Sequence, residues 1–231
     1  MRKTVLIISI LAICNFSVKS QNLATADYKP IHFGFMLGIN MMDFGFKPTM
    51  QPINGLTYQT DISTLTPGFT VGVIGDVRLG EYFNFRLIPA LHLGERSISY
   101  VNDKNSTVLR QNIKSNLLSV PIYIKYSAVR IKNYRPYLIA GGGVYFDLSR
   151  DRQRPVLLQP VDYFIDFGVG CTFYFQYFRF SPEIKFALGF NNMLTPLSDR
   201  PKDFIPDNEK YLSNSLTKLS SRLFTLVFNF E

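Results

Sequence analysis

Long stretches of this chain place an apolar residue at every second position. Ile31, Phe33, Phe35, Leu37, Ile39 and Met41 share one face of a first predicted strand, with His32, Gly34, Gly38 and Asn40 on the other. A helix would space its apolar residues three and four apart instead. A second strand sets Phe69, Val71, Val73, Val77 and Leu79 against Thr70, Asp76 and Arg78. A third sets Phe83, Phe85, Leu87, Leu91 and Leu93 against Asn84, Arg86, His92 and Arg96. The fourth opposes Leu118, Val120, Ile122, Ile124 and Tyr126 to Ser119, Tyr123 and Lys125. A fifth, Arg135 to Leu148, is two-sided, with Leu138, Ala140, Val144 and Phe146 on one face and Tyr137 and Ile139 on the other. In the sixth, apolar positions from Val161 to Phe175 face away from Asp162, Asp166, Gly168, Gly170 and Thr172. The seventh sets Phe178, Phe180, Ile184, Phe186, Leu188 and Phe190 against Arg179, Glu183 and Lys185, and the last carries Phe224, Leu226, Phe228 and Phe230.

Each of the eight strands is long enough for the ~9–11 tilted residues that cross a bilayer. Their connections alternate in length. Gly80 to Tyr82, Gln176-Tyr177 and Ala128 to Tyr134 are short. Gly45 to Thr66, Val101 to Ser115, Ser149 to Pro160 and Asn191 to Leu216 are long and hold much of the Pro, Asn, Asp and Ser. Short turns at one end and long loops at the other match an all-β, eight-stranded antiparallel up-and-down transmembrane β-barrel. A soluble lipocalin-like barrel also alternates, but turns its apolar face inward. The Phe- and Leu-rich apolar face, the sparse charges on the opposite face and the aromatic last strand favour the membrane version. Tyr82, Tyr126, Tyr137 and Tyr177 sit at strand ends, as interfacial girdle residues do. Pro89, Pro121 and Pro182 fall inside predicted strands, where proline cannot donate to the ladder. Bulges are expected there, or else the strand boundaries are wrong.

The amino terminus supplies an address. Arg2 and Lys3 precede an apolar run from Thr4 to Cys14, and Val18-Lys19-Ser20 offers small residues at a cleavage site. The pattern predicts a secretory signal peptide over residues 1–20, cut near Ser20-Gln21. Residues 21–30 then form a periplasmic lead-in and residues 31–231 the barrel, with both termini periplasmic. Cleavage also removes Cys14, so Cys171 has no disulfide partner within the mature chain.

Composition narrows the alternatives. Hydrophobic residues make up 46% of the 231, which excludes a disordered chain. Charged residues are only 18%, below the ~25% of soluble domains. No apolar stretch approaches the ~18 residues of a spanning helix. Removing Arg2, Lys3 and Lys19 from the 25 basic residues leaves 22 against 17 acidic, a net +5. That is mild for a nucleic-acid binder, and no basic helix is present, so no nucleic-acid partner is expected.

Candidate chemistry is sparse. His32 and His92 lie on separate strands without carboxylate spacing for a metal. No spacing places Ser119 or Ser181 beside a histidine, so no nucleophile is assigned. Gly141-Gly142-Gly143 lacks the lysine and following helix of a phosphate loop, and suits a bend or a close backbone approach instead. No catalytic, cofactor or metal residues are therefore expected. Asp76, Arg78, Arg86, Lys125, Asp166, Glu183 and Lys185 all oppose the apolar face and would point into the lumen. An eight-stranded lumen is narrow enough for such side chains to fill it as a paired polar core, or to leave a narrow ion conduit. Arg150, Arg152 and Arg154 occupy a long loop where they could meet lipopolysaccharide phosphates. Arg130, Lys132 and Arg135 crowd a short turn, where they could dock an acidic partner or serve as interfacial charge.

A family resemblance sharpens the expectation. Ser119-Val120-Pro121-Ile122-Tyr123-Ile124-Lys125-Tyr126 and Arg135-Pro136-Tyr137-Leu138-Ile139-Ala140-Gly141-Gly142-Gly143 resemble the central signature of the PorT-like outer-membrane β-barrels of the Bacteroidota. Phe180 to Phe186 and Leu226 to Glu231 are similar to that family as well. The resemblance implies an integral outer-membrane protein required for type IX secretion, the export of proteins bearing a C-terminal sorting domain. It also implies contact with outer-membrane lipid and with other secretion-apparatus proteins such as a large translocon barrel. It supplies no catalytic residues. A generic small barrel for envelope integrity, adhesion or lipid contact, or a narrow channel, are the alternatives.

Overall fold

The computed structural model describes residues 26–48, 58–62, 66–102, 105–149, 159–193 and 216–231. The expected signal peptide, much of the long-loop sequence and Arg150, Arg152 and Arg154 lie outside the described residues. A short 3-10 turn, Ala26–Tyr28, precedes ten strands: β1 (Ile31–Pro48), β2 (Tyr58–Ile62), β3 (Pro67–Arg78), β4 (Phe83–Leu87), β5 (Ala90–Asn102), β6 (Asn105–Ser127), β7 (Tyr134–Asp147), β8 (Val161–Tyr174), β9 (Arg179–Gly189) and β10 (Leu216–Phe230). Every wall pairing is antiparallel. β1 pairs with β3 on one side and with β10 on the other, so the sheet closes on itself. β4 and β5 lie end to end and together make one stave, which gives a closed barrel of eight.

The alternation decides which way the barrel faces. Phe33 is 75% exposed, Val73 62%, Leu138 57% and Val169 54%, while the intervening Asp76, Arg86, Thr70 and Ile139 are buried. The apolar face points outward, the reverse of a soluble barrel. The two-sided β7 follows the same rule, since Leu138 and Phe146 face out and Tyr137 and Ile139 face in. Tyr82, Tyr126 and Tyr177 are exposed, as expected of a girdle. Tyr137 departs from that expectation. It points into the lumen and is buried, because its position shares the inward face of Ile139 and Tyr145.

The prolines produce no bulges. Leu87 pairs with Ile122 and Ala90 with Ser119, three residues apart on each strand, so nothing is inserted between β4 and β5. The register to β3 is equally continuous. Ile88 N donates to Pro121 O at 3.4 Å, so Pro121 turns its donorless nitrogen toward Ile88. Pro89 O accepts from Val73 N, so its own missing donor faces β3. The two absent rungs flank Ile88-Pro89 and account for the break in the stave. At Pro182 the β8–β9 ladder lapses between the Gly170–Glu183 and Phe173–Phe180 pairs and resumes in the same register. Ser181 Oγ donates to Thr172 Oγ1 at 3.0 Å across this lapse.

Two of the expected long loops are shorter than the sequence suggested. β1 continues to Pro48 and β2 lies within Gly45 to Thr66. The β5–β6 ribbon runs on to the Asn102–Asn105 pair. Ser97 to Val101 and Ser106 to Leu109 are rich in β-favouring residues, and the paired backbone continues past the wall. β7, β8 and β9 stop lower, so this rim is tall on one side. At the opposite end all connections are short, as at Leu79 N to Phe83 O, 3.0 Å, and Phe175 N to Phe178 O, 3.0 Å.

Gly141 and Gly143 face inward between Ile139 and Tyr145. A Cβ on Gly141 would lie 2.1 Å from Ile122 O and 2.7 Å from the Tyr123 ring, and one on Gly143 2.6 Å from Pro121 Cα. The glycines therefore let β6 approach closely while Tyr123 reaches across the lumen. This is the close approach that their sequence context suggested.

Candidate functional site

The lumen is filled by side chains arranged in tiers from the short-turn end. In the first tier Asp76 and Arg86 are cross-strand partners on β3 and β4. Arg86 is fully buried, and its Nε lies 2.7 Å from Asp76 Oδ2. Its Nη2 lies 2.5 Å from Glu231 Oε1, and Arg179 Nη2 lies 2.6 Å from Glu231 Oε2. Backbone bonds between Arg179 and Glu231 in both directions fix that carboxylate's position. Asn84 donates to Asp76. His32 stands opposite Asp76 in register, 4.0 Å away.

Lys125 links this tier to the next by placing its ammonium 4.1 Å above the Tyr137 ring. The Tyr137 hydroxyl donates to Glu183 Oε2 at 2.7 Å, and Lys185 Nζ lies 3.4 Å from Glu183 Oε1. Lys185 also sits over the Tyr123 ring, and the Tyr123 hydroxyl donates to Asp166 Oδ2 at 2.5 Å. Acids and bases thus alternate up the lumen. Such pairing is the condition for burying charge, because an isolated ion loses its hydration with no compensating partner.

Six of the seven residues expected in the lumen are buried there: Asp76, Arg86, Lys125, Asp166, Glu183 and Lys185. Arg78 stands apart at the rim, where its Nε donates to Gly80 O at 2.9 Å and its guanidinium covers the Tyr28 ring. Glu231, Arg179, Tyr137 and Tyr123 complete the network. The alternation put Tyr123 and Arg179 on the polar face but could not join any of the four to the network, because their partners are set by register across the barrel.

One expectation is corrected in the middle tier. Ser119 does lie beside a histidine, with Oγ 2.9 Å from His92 Nε2. β5 and β6 pair Ala90 with Ser119, which puts His92 diagonally across on the same face. The arrangement runs opposite to that of a nucleophile. Ser119 donates to Ala90 O at 3.2 Å, so the hydrogen-bond partners assign the imidazole proton to Nε2. His92 Nδ1 then accepts from Thr70 Oγ1 at 2.9 Å, and Thr70 accepts from Asn40 Nδ2 at 2.8 Å. Ser119 has no proton acceptor in His92, and Thr70 rather than a carboxylate orients the ring.

Water-sized spaces lie between these side chains. A cavity of about 20 Å³ lies at the short-turn mouth beside Asp27, Lys125 and Arg179. Another of about 10 Å³ lies among His92, Ser119, Tyr123 and Asp166. Each is on the scale of one water. Among the described residues no cluster of His, Cys, Asp and Glu is placed to hold a metal.

The cationic short turn turns toward the chain itself. Arg130 Nη1 lies 3.3 Å from Asp27 Oδ2, and Arg135 Nη1 lies 3.6 Å from Asp27 Oδ1. The Tyr174 hydroxyl donates to Asp27 Oδ1 at 2.5 Å. Lys132 is exposed, with the left-handed backbone (φ 54°) that closes the turn.

A closed eight-stave wall with an apolar exterior and a charged, filled interior is a barrel built to sit in a bilayer. The family model described as "Outer membrane protein beta-barrel domain" matches residues 19–195, and the chain belongs to that family. In fold it is similar to the crystal structure of Neisserial surface protein A, at 10% identity and a TM-score of 0.42, covering 87% of this chain and 98% of that one. It is also similar to the outer membrane protein OprG from Pseudomonas aeruginosa, at 11% identity and a TM-score of 0.46, covering 87% and 93%. Comparison with curated proteins gives no match.

Proposed function

We propose that this outer-membrane barrel is a non-enzymatic, non-conducting scaffold that acts through its ends and outer wall. The observation that carries the reading is the lumen itself, where paired side chains of the described residues meet across the barrel and leave water-sized cavities of about 20 and 10 Å³ between them. The short-turn end and both termini face the periplasm in this reading, after removal of the leader near Ser20-Gln21.

The task we assign is accessory to type IX secretion, in contact with a large translocon barrel. Its support is the PorT-like signature. Those residues form two strand pairs of the wall on either side of β8, since Pro121 pairs with Gly143 on β6 and β7, and Phe228 with Pro182 on β10 and β9. Because they are wall residues with packing roles, they equally favour a second reading, a small barrel for envelope integrity, adhesion or lipid contact. In that reading Arg150, Arg152 and Arg154 meet lipopolysaccharide.

Deleting the gene and measuring sorting-domain cargo separates the two. The secretion role predicts that cargo disappears from the medium and accumulates in the periplasm, with complementation restoring export. Unchanged export in the deletion strain overturns that role and leaves the second reading.

A further inference from the structure

The Asp27 contact has the form of a receptor site with its own chain in it. Three groups from two strands and a turn converge on one carboxylate: Arg130, Arg135 and Tyr174. Their side chains are largely shielded, with Asp27 18% exposed, Arg130 12% and Arg135 14%. An ion pair so placed is screened less than a surface pair.

The cations are held in position without Asp27. Arg130 Nε donates to Lys132 O at 2.8 Å, and its guanidinium stacks 3.6 Å from the Tyr174 ring centre. Arg135 Nε donates to Ala128 O and its Nη2 to Glu81 O, both at 2.7 Å. Each arginine thus spends its other nitrogens on fixed neighbours and presents Nη1 to the carboxylate. Such a site is preorganised, so a replacement carboxylate meets little ordering cost.

The occupant, by contrast, is weakly anchored. Tyr28 is 73% exposed, and Lys29 and Pro30 are exposed too. Arg78 contributes a cation–π contact to Tyr28 and a backbone bond from its N to Pro30 O, 2.8 Å. These contacts lie at the β1 side of the segment. The end that crosses the mouth is fixed by the Asp27 carboxylate.

We propose that Arg130, Arg135 and Tyr174 form a carboxylate-binding clamp that Asp27 occupies at rest, and that an acidic side chain of a partner peptide takes Asp27's place. Residues 26–30 are then a strap over the short-turn mouth, released by exchange of one carboxylate for another. The clamp rests on this geometry and does not depend on the secretion role.

The test uses the full chain in detergent micelles and a fluorescent synthetic peptide with the sequence of residues 21–30. Asp27→Asn in the protein keeps the strap's shape and removes its charge. This variant is expected to bind the peptide at least tenfold more tightly than the wild-type protein. The same peptide carrying Asn in place of its Asp is expected to bind the variant at least tenfold more weakly. Adding Arg130→Gln and Arg135→Gln abolishes the gain, and Tyr174→Phe, which keeps the ring beneath Arg130, reduces it severalfold. Equal affinity of wild type and Asp27→Asn, absent binding included, overturns the proposal. So does equal affinity for the Asp and Asn peptides.

Discussion

Replacing Arg86 with alanine is expected to destabilise the barrel by about 3–5 kcal/mol, the usual cost of breaking a buried ion pair from one side. Arg86 is fully buried and holds both Asp76 and Glu231. Truncation leaves two carboxylates facing each other in a lumen too full to admit bulk water. Urea unfolding of refolded protein in micelles or lipid measures the loss. The control is the neutral double variant Arg86→Met and Asp76→Asn, which leaves Glu231 paired with Arg179. It should recover most of the lost stability, because neutral isosteres remove the buried charges together with their attraction. If Arg86→Ala unfolds at the wild-type urea concentration, the tier does not carry the charge balance described above.

A substitution on the outer wall has a comparable effect for the opposite reason. Ile122 is 50% exposed and lies midway along the β6–β7 ladder that runs from Leu117 to Ser127. Ile122→Arg places a cation against the hydrocarbon at mid-depth, at a cost of about 2–4 kcal/mol for a lipid-facing site. On a water-facing barrel the same change would be neutral. Unfolding in lipid vesicles measures it. A variant as stable as wild type in vesicles would contradict the assignment of this face to lipid.

These two positions show what the sequence could and could not disclose. Ile122 and Arg86 are assigned to opposite faces by period-two alternation alone, because each strand fixes its own faces locally. That local signal was enough for eight staves, for the closed antiparallel architecture and for the inward placement of six charged residues. Register is different, since it depends on pairing between residues distant in the chain. Without it, Glu231 could not be matched to Arg86, 145 residues away, nor Ser119 to His92. The Tyr137 ring was misassigned to the girdle because a tyrosine at a strand end suits either face until its neighbours are known. The prolines were misread because only the neighbouring strands reveal where a missing donor points. Asp27 lies in a lead-in with no periodicity, and its partners on β7, β8 and the turn between β6 and β7 leave no local trace.

In the proposed reading the lumen is closed and function resides elsewhere on the molecule. Single-channel recording of the purified, folded protein in planar bilayers tests it most directly. The tiers from Arg86 to Asp166 predict no conductance above the bare-membrane baseline across a range of voltages. Stable, ohmic single-channel steps from the wild-type protein would contradict that reading and make the lumen charges the lining of a pore.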